Sequence, residues 1–202
     1  MPPRFISRQL SRPTGAVGRV IGSLMNRHNA RMNAFAVERL ELAPTDRVLE
    51  VGFGGGSALP SLLNGASFVA GIDPSSAMVK WARSRFSVAV SEGRAVFHEG
   101  KVEAIPFEAG SFGKVCTVNT VYFWKSLEAG FGEIYRVLRQ GGRLAVGFLP
   151  KERMDRLGHP ADIFTGRTPQ QVTAALAFCG FTQVHIQRPD STTHWNVIVA
   201  TR

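Results

Sequence analysis

The sequence is poor in several features that would otherwise narrow its class. It has two cysteines among 202 residues, Cys116 and Cys179, and both lie in predicted core elements. Reduced thiols in a cytoplasmic protein are therefore expected rather than a disulfide framework. No apolar run approaches the ~18 residues that spanning a bilayer requires. Apolar residues make up 44% and charged residues 19% of the chain, which is typical of a soluble globular domain with a full core.

Acidic residues are missing from the first 37 positions, which hold six arginines before the first acid, Glu38. We interpret residues 1–40 as a basic arm or cap segment and residues 41–202 as the main domain. Contact of the arm with nucleic acid or with an anionic membrane remains an alternative. Arginine-rich, acid-poor starts are also typical of mitochondrial targeting, whereas a secretory signal is not indicated because no compact apolar region follows the charges.

Short apolar runs alternate with longer amphipathic stretches, which predicts an α/β fold with a parallel sheet. The predicted strands are Arg47–Val51, Ser67–Ile72, Ala95–His98, Lys114–Val118, Arg143–Leu149, Thr182–Gln187 and Trp195–Thr201, the last two forming a hairpin. The predicted helices are Ala34–Leu42, Ser57–Leu63, one that begins after an N-cap at Ser75, Leu127–Arg139, and Thr168–Phe178. Gly141 and Gly142 are predicted to end the helix that precedes the fifth strand.

A glycine-rich turn follows the first predicted strand, and an acid ends the second. Gly52 and Gly54 lack the side chains that would keep a ligand away from the backbone. Asp73 follows Gly52 by about 20 residues, the spacing expected when a carboxylate binds the ribose of a nucleotide. This pattern predicts a nucleotide-binding first half of the domain.

Two residues indicate which nucleotide is bound. The dinucleotide fingerprint requires glycine where this chain has Ser57. Glu50, just before the glycines, would repel a pyrophosphate and attract an ammonium group. A ligand with adenosine at one end and an amino acid at the other suits both Glu50 and Asp73, and S-adenosylmethionine is such a ligand. A nicotinamide dehydrogenase is the disfavoured alternative.

The motif Glu-x-Gly-x-Gly-x-Gly at Glu50–Gly56, followed by Gly71-Ile72-Asp73-Pro74-Ser75, resembles motif I and its sequel in class I S-adenosylmethionine-dependent methyltransferases. It is most similar to the small-molecule group that includes the quinone-biosynthesis C-methyltransferases. The resemblance implies a Rossmann-like three-layer sandwich with a seven-stranded, mostly parallel sheet whose last strand is antiparallel. The cofactor-binding residues expected from the motifs and the resemblance are Glu50, Gly52, Phe53, Gly54, Gly56, Asp73, Pro74, Met78, Lys101, Val102, Glu103 and Asn119.

The chain departs from the family pattern at two positions. Lys101 stands where the family usually has the acid that receives the exocyclic amine of adenine, and lysine can only donate. The backbone of Val102, or Glu103, would then read the adenine edge. Gly113 replaces the usual acid before the fourth strand, and we expect a looser turn there.

The acceptor is expected beside Tyr122, Phe123 and Trp124, after the fourth strand. This stretch lacks the Asn/Asp/Ser-Pro-Pro-Tyr/Phe signature of enzymes that methylate amino groups of bases or glutamine. The resemblance leaves the N-terminal segment and the stretch from Pro150 to Gly166 as additions over the carboxyl ends of the strands. Candidate catalytic residues are Tyr122, His28 and His159, and no metal site is expected. Asn26, Asn29 and Asn33 would either bind the methionine carboxylate or interrupt helices.

The sequence therefore predicts a methyltransferase that uses S-adenosylmethionine to methylate a small, partly apolar acceptor by in-line displacement. Positioning and water exclusion can supply much of the catalysis, so a conspicuous catalytic dyad is not needed. One alternative is an RNA or protein methyltransferase that uses the basic arm. Another is a degenerate, non-catalytic relative that acts as a binding module. The sequence does not determine the oligomeric state.

Overall fold

The computed structural model describes residues 3–11 and 29–202. The strands of its sheet are β1 (Arg47–Val51), β2 (Phe68–Asp73), β3 (Ala95–Glu99), β4 (Phe112–Val118), β5 (Leu138–Phe148), β6 (Thr182–Gln187) and β7 (Asn196–Thr201). The helices are α1 (Arg4–Ser11), α2 (residues 29–39), α3 (Leu59–Gly65), α4 (Ser76–Arg85), α5 (Ser87–Ser91), α6 (Leu127–Val137), α7 (Lys151–Leu157) and α8 (Pro169–Phe178).

The seven strands form one sheet in the order β3-β2-β1-β4-β5-β7-β6. Strands β1 to β5 run parallel, and β7 is inserted antiparallel between β5 and β6. The predicted α/β fold with a mostly parallel sheet and an antiparallel last strand is confirmed. The order reverses between β1 and β4, which is where open α/β sheets bind ligands.

Side-chain caps start two helices where the sequence predicts them. The Ser75 hydroxyl accepts a hydrogen bond from the Met78 backbone N–H, which begins α4. Thr168 forms a reciprocal capping box with Gln171, and Pro169 occupies the first helical position of α8. These contacts satisfy N–H groups that have no partner within the helix.

The predicted end of the helix before β5 is wrong. Helix α6 ends at Val137, and Leu138 already has extended backbone angles and pairs with Phe112 of β4. Gly141 and Gly142 therefore lie inside β5 rather than at a helix end. A Cβ atom on Gly142 would lie 2.7 Å from the Arg139 carbonyl oxygen. Gly142 thus allows a close backbone approach within a strand, and Gly141 takes a φ of +70° that glycine adopts readily. The sequence pattern alone does not distinguish this glycine pair from a helix stop.

Gly113 accommodates an ion cluster at the amino edge of the sheet. A Cβ atom there would lie 3.1 Å from both the Asp46 carboxylate and the Arg139 guanidinium, which are themselves 3.6 Å apart. Lys114 adds a second cation 4.0 Å from Asp46. The strand register shifts between Phe112 and Lys114. Asp46 provides an acid at this corner, so an acid at position 113 would bring two carboxylates together.

Apolar side chains fill both faces of the sheet. Phe112, Phe131 and Phe148 belong to one buried cluster, and Leu59 and Phe97 belong to the other. The second cluster also includes Met32, Ala36, Val37 and Leu40 from α2 and the turn after it.

Both cysteines are free, and Cys116 is buried within β4. Within residues 3–11 and 29–202, no helix has both the length and the apolar composition that crossing a bilayer requires.

Candidate active site

A cavity of about 550 Å³ lies at the carboxyl edge of the sheet. The loops after β1, β2, β3 and β4 form its walls, and α1, α2 and the stretch after α7 contribute its remaining sides. The lining residues that bear on function are Ser11, Asn29, Asn33, Glu50, Gly52, Phe53, Gly54, Asp73, Pro74, Lys101, Val102, Glu103, Asn119, Phe123, Trp124, Lys125, Asp162 and Ile163.

Asp73 ends β2 and is held in one orientation by two backbone donors. Its Oδ2 accepts the Gly54 N–H at 2.8 Å, and its Oδ1 accepts the Ser75 N–H at 2.8 Å. Asp73 also lines the cavity, and a carboxylate offers about four acceptor sites. Asp73 thus joins the glycine turn to the start of α4 and presents an oriented carboxylate to the cavity.

Glu50 lies in β1 beside Gly71 of β2 and Cys116 of β4. Its side chain is buried, and its Oε2 has no hydrogen-bond partner among the described residues. Burial, with a further contribution from the nearby charge of Asp73, raises the pKa of Glu50 to about 8. A buried carboxyl oxygen without a partner is costly, and an ammonium group bound in the cavity would satisfy it. This orphaned oxygen is the feature of the site that fits the amino-acid end of S-adenosylmethionine.

Two glycines of the turn after β1 have different roles: Gly52 allows close packing, and Gly54 leaves space for a ligand beside the backbone. Gly52 has a φ of +71°, and a Cβ atom there would lie 2.4 Å from the Thr120 side chain. Gly54 has a φ of +48°, and no heavy atom lies within 4 Å of where its Cβ would stand. Gly54 therefore leaves open space where the backbone borders the cavity. Phe53 lines the cavity and packs edge-on against Phe97, with ring centroids 5.5 Å apart.

The loop after β3 brings Lys101, Val102 and Glu103 to the cavity together. Val102 is buried, whereas Lys101 is exposed. Glu103 is oriented by the backbone N–H of Lys125, which donates to its Oε1 at 3.0 Å. This contact joins the loops after β3 and β4. Among the carboxylates that line the cavity, Glu103 is the one nearest to Lys101 in the sequence.

The loop after β4 provides an aromatic wall. Phe123 and Trp124 line the cavity, and Phe123 packs against Phe164 with ring centroids 4.7 Å apart. Asn119 begins the loop with a φ of +57°, a left-handed conformation that asparagine tolerates better than most residues. Its N–H donates to the Gly147 carbonyl at 2.8 Å, which ties the turn to β5.

Tyr122 does not line the cavity. It is buried, and its hydroxyl accepts the Leu149 N–H at 2.5 Å and lies 3.0 Å from Oδ1 of Asn119. Burial raises the pKa of Tyr122 well above its usual value, so the hydroxyl keeps its proton. The prediction that Tyr122 is a catalytic and pocket residue is not supported by this placement, because its ring faces the core and its hydroxyl braces the loop.

His159 also lies outside the cavity wall. Its ring stacks on Phe164 with centroids 4.3 Å apart, and its Nδ1 lies 3.3 Å from the Ser7 hydroxyl of α1. Burial lowers the pKa of His159, so it is neutral at neutral pH. His159 therefore packs α1 against the segment after α7 rather than facing an acceptor. His28 and Asn26 lie outside the described residues.

Two further predicted residues are displaced from the cavity. Met78 lies in the first turn of α4, is 2% exposed and belongs to the apolar core. Gly56 packs against Trp81, whose ring would lie 2.7 Å from an added Cβ. Asn29 and Asn33 do line the cavity, and they continue α2 rather than interrupting it, with Nδ2 of Asn33 donating to the Asn29 carbonyl.

The cavity is also lined by residues that no sequence motif marks, among them Ser11, Lys125, Asp162 and Ile163. Ser11 belongs to the N-terminal segment, and Asp162 and Ile163 belong to the stretch from Pro150 to Gly166. Both segments were expected over the carboxyl ends of the strands, and their described parts are there. No sequence motif marks Ser11, Asp162 or Ile163, because it is the packing of α1 on the stretch from Pro150 to Gly166 that brings these residues to the cavity.

The fold and the site define a Rossmann-like α/β enzyme with a nucleoside cavity at the switch point of its sheet. Residues 49–146 match the family model described as a methyltransferase domain. The chain belongs to the class I S-adenosylmethionine-dependent methyltransferases, and S-adenosyl-L-methionine is its cofactor.

Curated relatives support this assignment. The uncharacterized methyltransferase YdaC of Bacillus subtilis (strain 168) is 31% identical over 173 residues, which cover 83% of this chain and 89% of YdaC. The ubiquinone/menaquinone biosynthesis C-methyltransferase UbiE of Geotalea daltonii is 29% identical over 115 residues, or 55% of this chain and 49% of UbiE. The chain thus spans about half the length of UbiE but nearly all of YdaC.

Solved structures share the fold at low sequence identity. One is a methyltransferase in complex with the Trm112 methyltransferase activator of Haloferax volcanii, with a TM-score of 0.75 and 18% identity over 89% of this chain and 92% of that one. Another is the geranyl diphosphate C-methyltransferase of Streptomyces coelicolor, with a TM-score of 0.73 and 16% identity over 96% of this chain and 87% of that one.

Proposed function

We propose that this methyltransferase transfers the methyl group to a small, partly apolar acceptor by in-line displacement. The observation that carries the cofactor side of the proposal is the arrangement of Glu50 and Asp73 on either side of an open glycine turn. The aromatic wall of Phe123 and Trp124 in the same cavity supports the apolar character of the acceptor.

The two acids have separate roles in this proposal. Asp73 accepts hydrogen bonds from the ribose hydroxyls, for which its two backbone contacts pre-orient it. Glu50 receives the ammonium of the methionine end through its unpartnered Oε2. Asn29, Asn33 and Asn119 supply neutral polar groups at the same cavity, which suit the carboxylate of that end.

In this proposal, Glu103 and the backbone of Val102 form the hydrogen bonds with the adenine edge. They take the role of the family's usual acid, whose position is occupied here by Lys101. Glu103 is the stronger candidate for the exocyclic amine, because a carboxylate accepts and the Lys125 N–H already orients it. A Lys101→Asp variant would then bind cofactor at least as tightly as the native chain, whereas Glu103→Gln would weaken binding. Both affinities can be compared by calorimetry.

Bound S-adenosylmethionine supplies an activated sulfonium methyl group. The chain's own contribution is to orient the reactants and to exclude water. Phe123 and Trp124 provide an apolar surface for the acceptor, and α1 with the Asp162–Ile163 stretch closes one side of the cavity. Of the candidate general bases that the structure describes, Tyr122 and His159, neither lines the cavity.

The test begins with calorimetric titration of S-adenosylhomocysteine. Asp73→Asn keeps the shape of the side chain and one acceptor oxygen, and we expect binding to weaken by at least about tenfold, the effect of losing one charged hydrogen-bond acceptor. Glu92→Gln is the matched control, since Glu92 is an exposed acid that pairs only with Arg94 in the salt bridges of the described chain. Equal binding by Asp73→Asn and the native protein would contradict the assigned role.

The acceptor class is tested with radiolabelled S-adenosylmethionine. We expect label in the organic extract when small aromatic or isoprenoid compounds are supplied, and loss of that label in Phe123→Ser. Label recovered in RNA or in protein, with none in small molecules, would overturn the proposed acceptor class while leaving methyl transfer intact.

A further inference from the structure

Helix α1 buries two polar side chains, Ser7 and Gln9, against the protein and exposes two apolar ones, Phe5 and Ile6. Ser7 and Gln9 are 0% and 8% exposed, whereas Phe5 and Ile6 are 57% and 39% exposed. An ordinary amphipathic helix on a globular protein does the reverse. The inward face is held by polar contacts, with Ser7 beside His159 at 3.3 Å and Arg4 paired with Asp162 at 2.5 Å. Phe5 and Ile6 therefore remain outside although the helix is docked.

The helix that carries these two side chains also reaches the cavity. Ser11, at the end of α1, lines the cavity, and so does Asp162, the partner of Arg4. Leu157 ends α7 two residues before His159 and is 50% exposed. Phe5, Ile6 and Leu157 are thus exposed large apolar side chains on α1 and at the end of α7, which the contact between Ser7 and His159 brings near each other.

The helices that carry these apolar side chains also carry exposed positive charge. Arg8 and Arg156 are exposed and have no ion pair among the described residues. The acids of this region are Asp155, which pairs with Lys151, Asp162, which pairs with Arg4, and Glu152. The region therefore carries a net positive charge that the paired acids do not neutralise.

We propose that the surface formed by Phe5, Ile6, Arg8, Arg156 and Leu157, which we call the mouth surface, binds the face of an anionic phospholipid bilayer. Aromatic and aliphatic side chains enter the boundary between headgroups and acyl chains, and arginines bind the anionic headgroups. The cavity would then open toward the membrane, where a partly apolar acceptor is concentrated. Only this last consequence depends on the proposed acceptor class.

Two other occupants fit the mouth surface less well. A second copy of the chain would need about 600–1,000 Å² of surface from each partner, more than three exposed apolar side chains provide, and it would bring arginines against arginines. RNA would satisfy the arginines and could stack on Phe5, but Ile6 and Leu157 have no ring to stack on a base.

The test is co-sedimentation of the full chain with vesicles of phosphatidylcholine alone and with added phosphatidylglycerol. We expect binding only to the anionic vesicles, and binding that weakens as salt rises. Replacing Phe5 and Ile6 together by serine should reduce the partition coefficient by about tenfold or more, and Arg8→Glu should reduce it as well. Circular dichroism of each variant checks that the fold is retained.

The control is Phe178→Ser. Phe178 is 80% exposed, more than Phe5, but it ends α8 near the start of β6 at the opposite, amino edge of the sheet. We expect Phe178→Ser to bind vesicles like the native chain. Asp73→Asn should also bind them normally, which separates a failure of this inference from a failure of the proposed cofactor site.

Several results would overturn the inference. These are equal sedimentation with neutral and anionic vesicles, no sedimentation at low salt, or unchanged binding after both serine substitutions. Binding to RNA that ignores the serine substitutions, in the absence of vesicle binding, would assign the arginines to nucleic acid instead. A concentration-dependent dimer that the serine substitutions abolish would assign the surface to self-association.

Discussion

Ligand binding should release a proton from Glu50. In the ligand-free protein, burial raises the pKa of this carboxyl to about 8, with the charge of Asp73 adding to the effect. At neutral pH the carboxyl is therefore mostly protonated and neutral. An ammonium group placed beside Oε2 favours the ionised form, so the site must lose a proton when S-adenosylhomocysteine binds.

The size of the effect follows from the pKa. Below about pH 8, each unit of pH should change the dissociation constant by about tenfold, with tighter binding at higher pH. At pH 7 close to one proton, about 0.9, should leave per ligand bound. Above about pH 8 the carboxyl is already ionised, and the dependence on pH should level off. Glu50→Gln cannot ionise, so its affinity should be weaker near pH 8 and nearly independent of pH.

Calorimetry measures both quantities. Titrations of S-adenosylhomocysteine in buffers with different ionisation enthalpies give the number of protons released, and repetition between about pH 6 and pH 8 gives the slope. S-adenosylhomocysteine is preferred because it has no sulfonium that could complicate the charge. An affinity of the native protein that does not change over this range, or the same slope in Glu50→Gln, would refute the assignment of Glu50 to the ammonium.

Three further changes have defined outcomes. Glu50→Gln should stabilise the ligand-free protein, because a buried acid with a raised pKa lowers the free energy of unfolding as pH rises toward that pKa. In thermal melts, the free energy of unfolding of the variant should exceed that of the native chain by a margin that grows by about 2 kcal/mol from pH 6 to pH 8. A constant difference would contradict this. Gly52→Ala should weaken folding and cofactor binding together, since the new Cβ would lie 2.4 Å from Thr120 at a φ of +71°; Gly132→Ala, where a Cβ meets no atom within 4 Å, is the control for melting and calorimetry. Tyr122→Phe should cost about 1–3 kcal/mol in chemical denaturation by leaving the Leu149 N–H without its partner, whereas loss of methyl transfer without loss of stability would restore a catalytic role for Tyr122.

The local patterns were sufficient for most of the sheet. The predicted bounds of β1 and β6 agree with the structure, and most other strands differ by one or two residues at an end. Short apolar runs report strands directly, because a strand buried on both faces needs apolar side chains throughout. The pattern was less informative at Gly141 and Gly142, where it did not show that Leu138 had already joined β4. The five-residue helix α5 and the seven-residue helix α7 were not predicted, since neither is long enough to show a clear period.

The chain itself determined the residues whose role depends on neighbours in sequence. The glycines after β1, the acid two residues before them and the acid that ends β2 meet because adjacent parallel strands carry their carboxyl ends to one edge. Glu50, Gly54 and Asp73 accordingly line one cavity.

Tertiary packing decided which side chains near that edge face the ligand. Tyr122 and Phe123 are neighbours in sequence. The backbone N–H of Leu149 donates to the Tyr122 hydroxyl and holds that side chain away from the cavity, whereas Phe123 lines the cavity. His159 and Asp162 are three residues apart, yet contacts with Ser7 and Arg4 place only Asp162 on the wall. These partners are up to 158 residues away in the chain, so no local pattern specifies them. The raised pKa of Glu50 also depends on the tertiary structure. It arises from the burial of this side chain in the folded sheet, where β1 lies between β2 and β4.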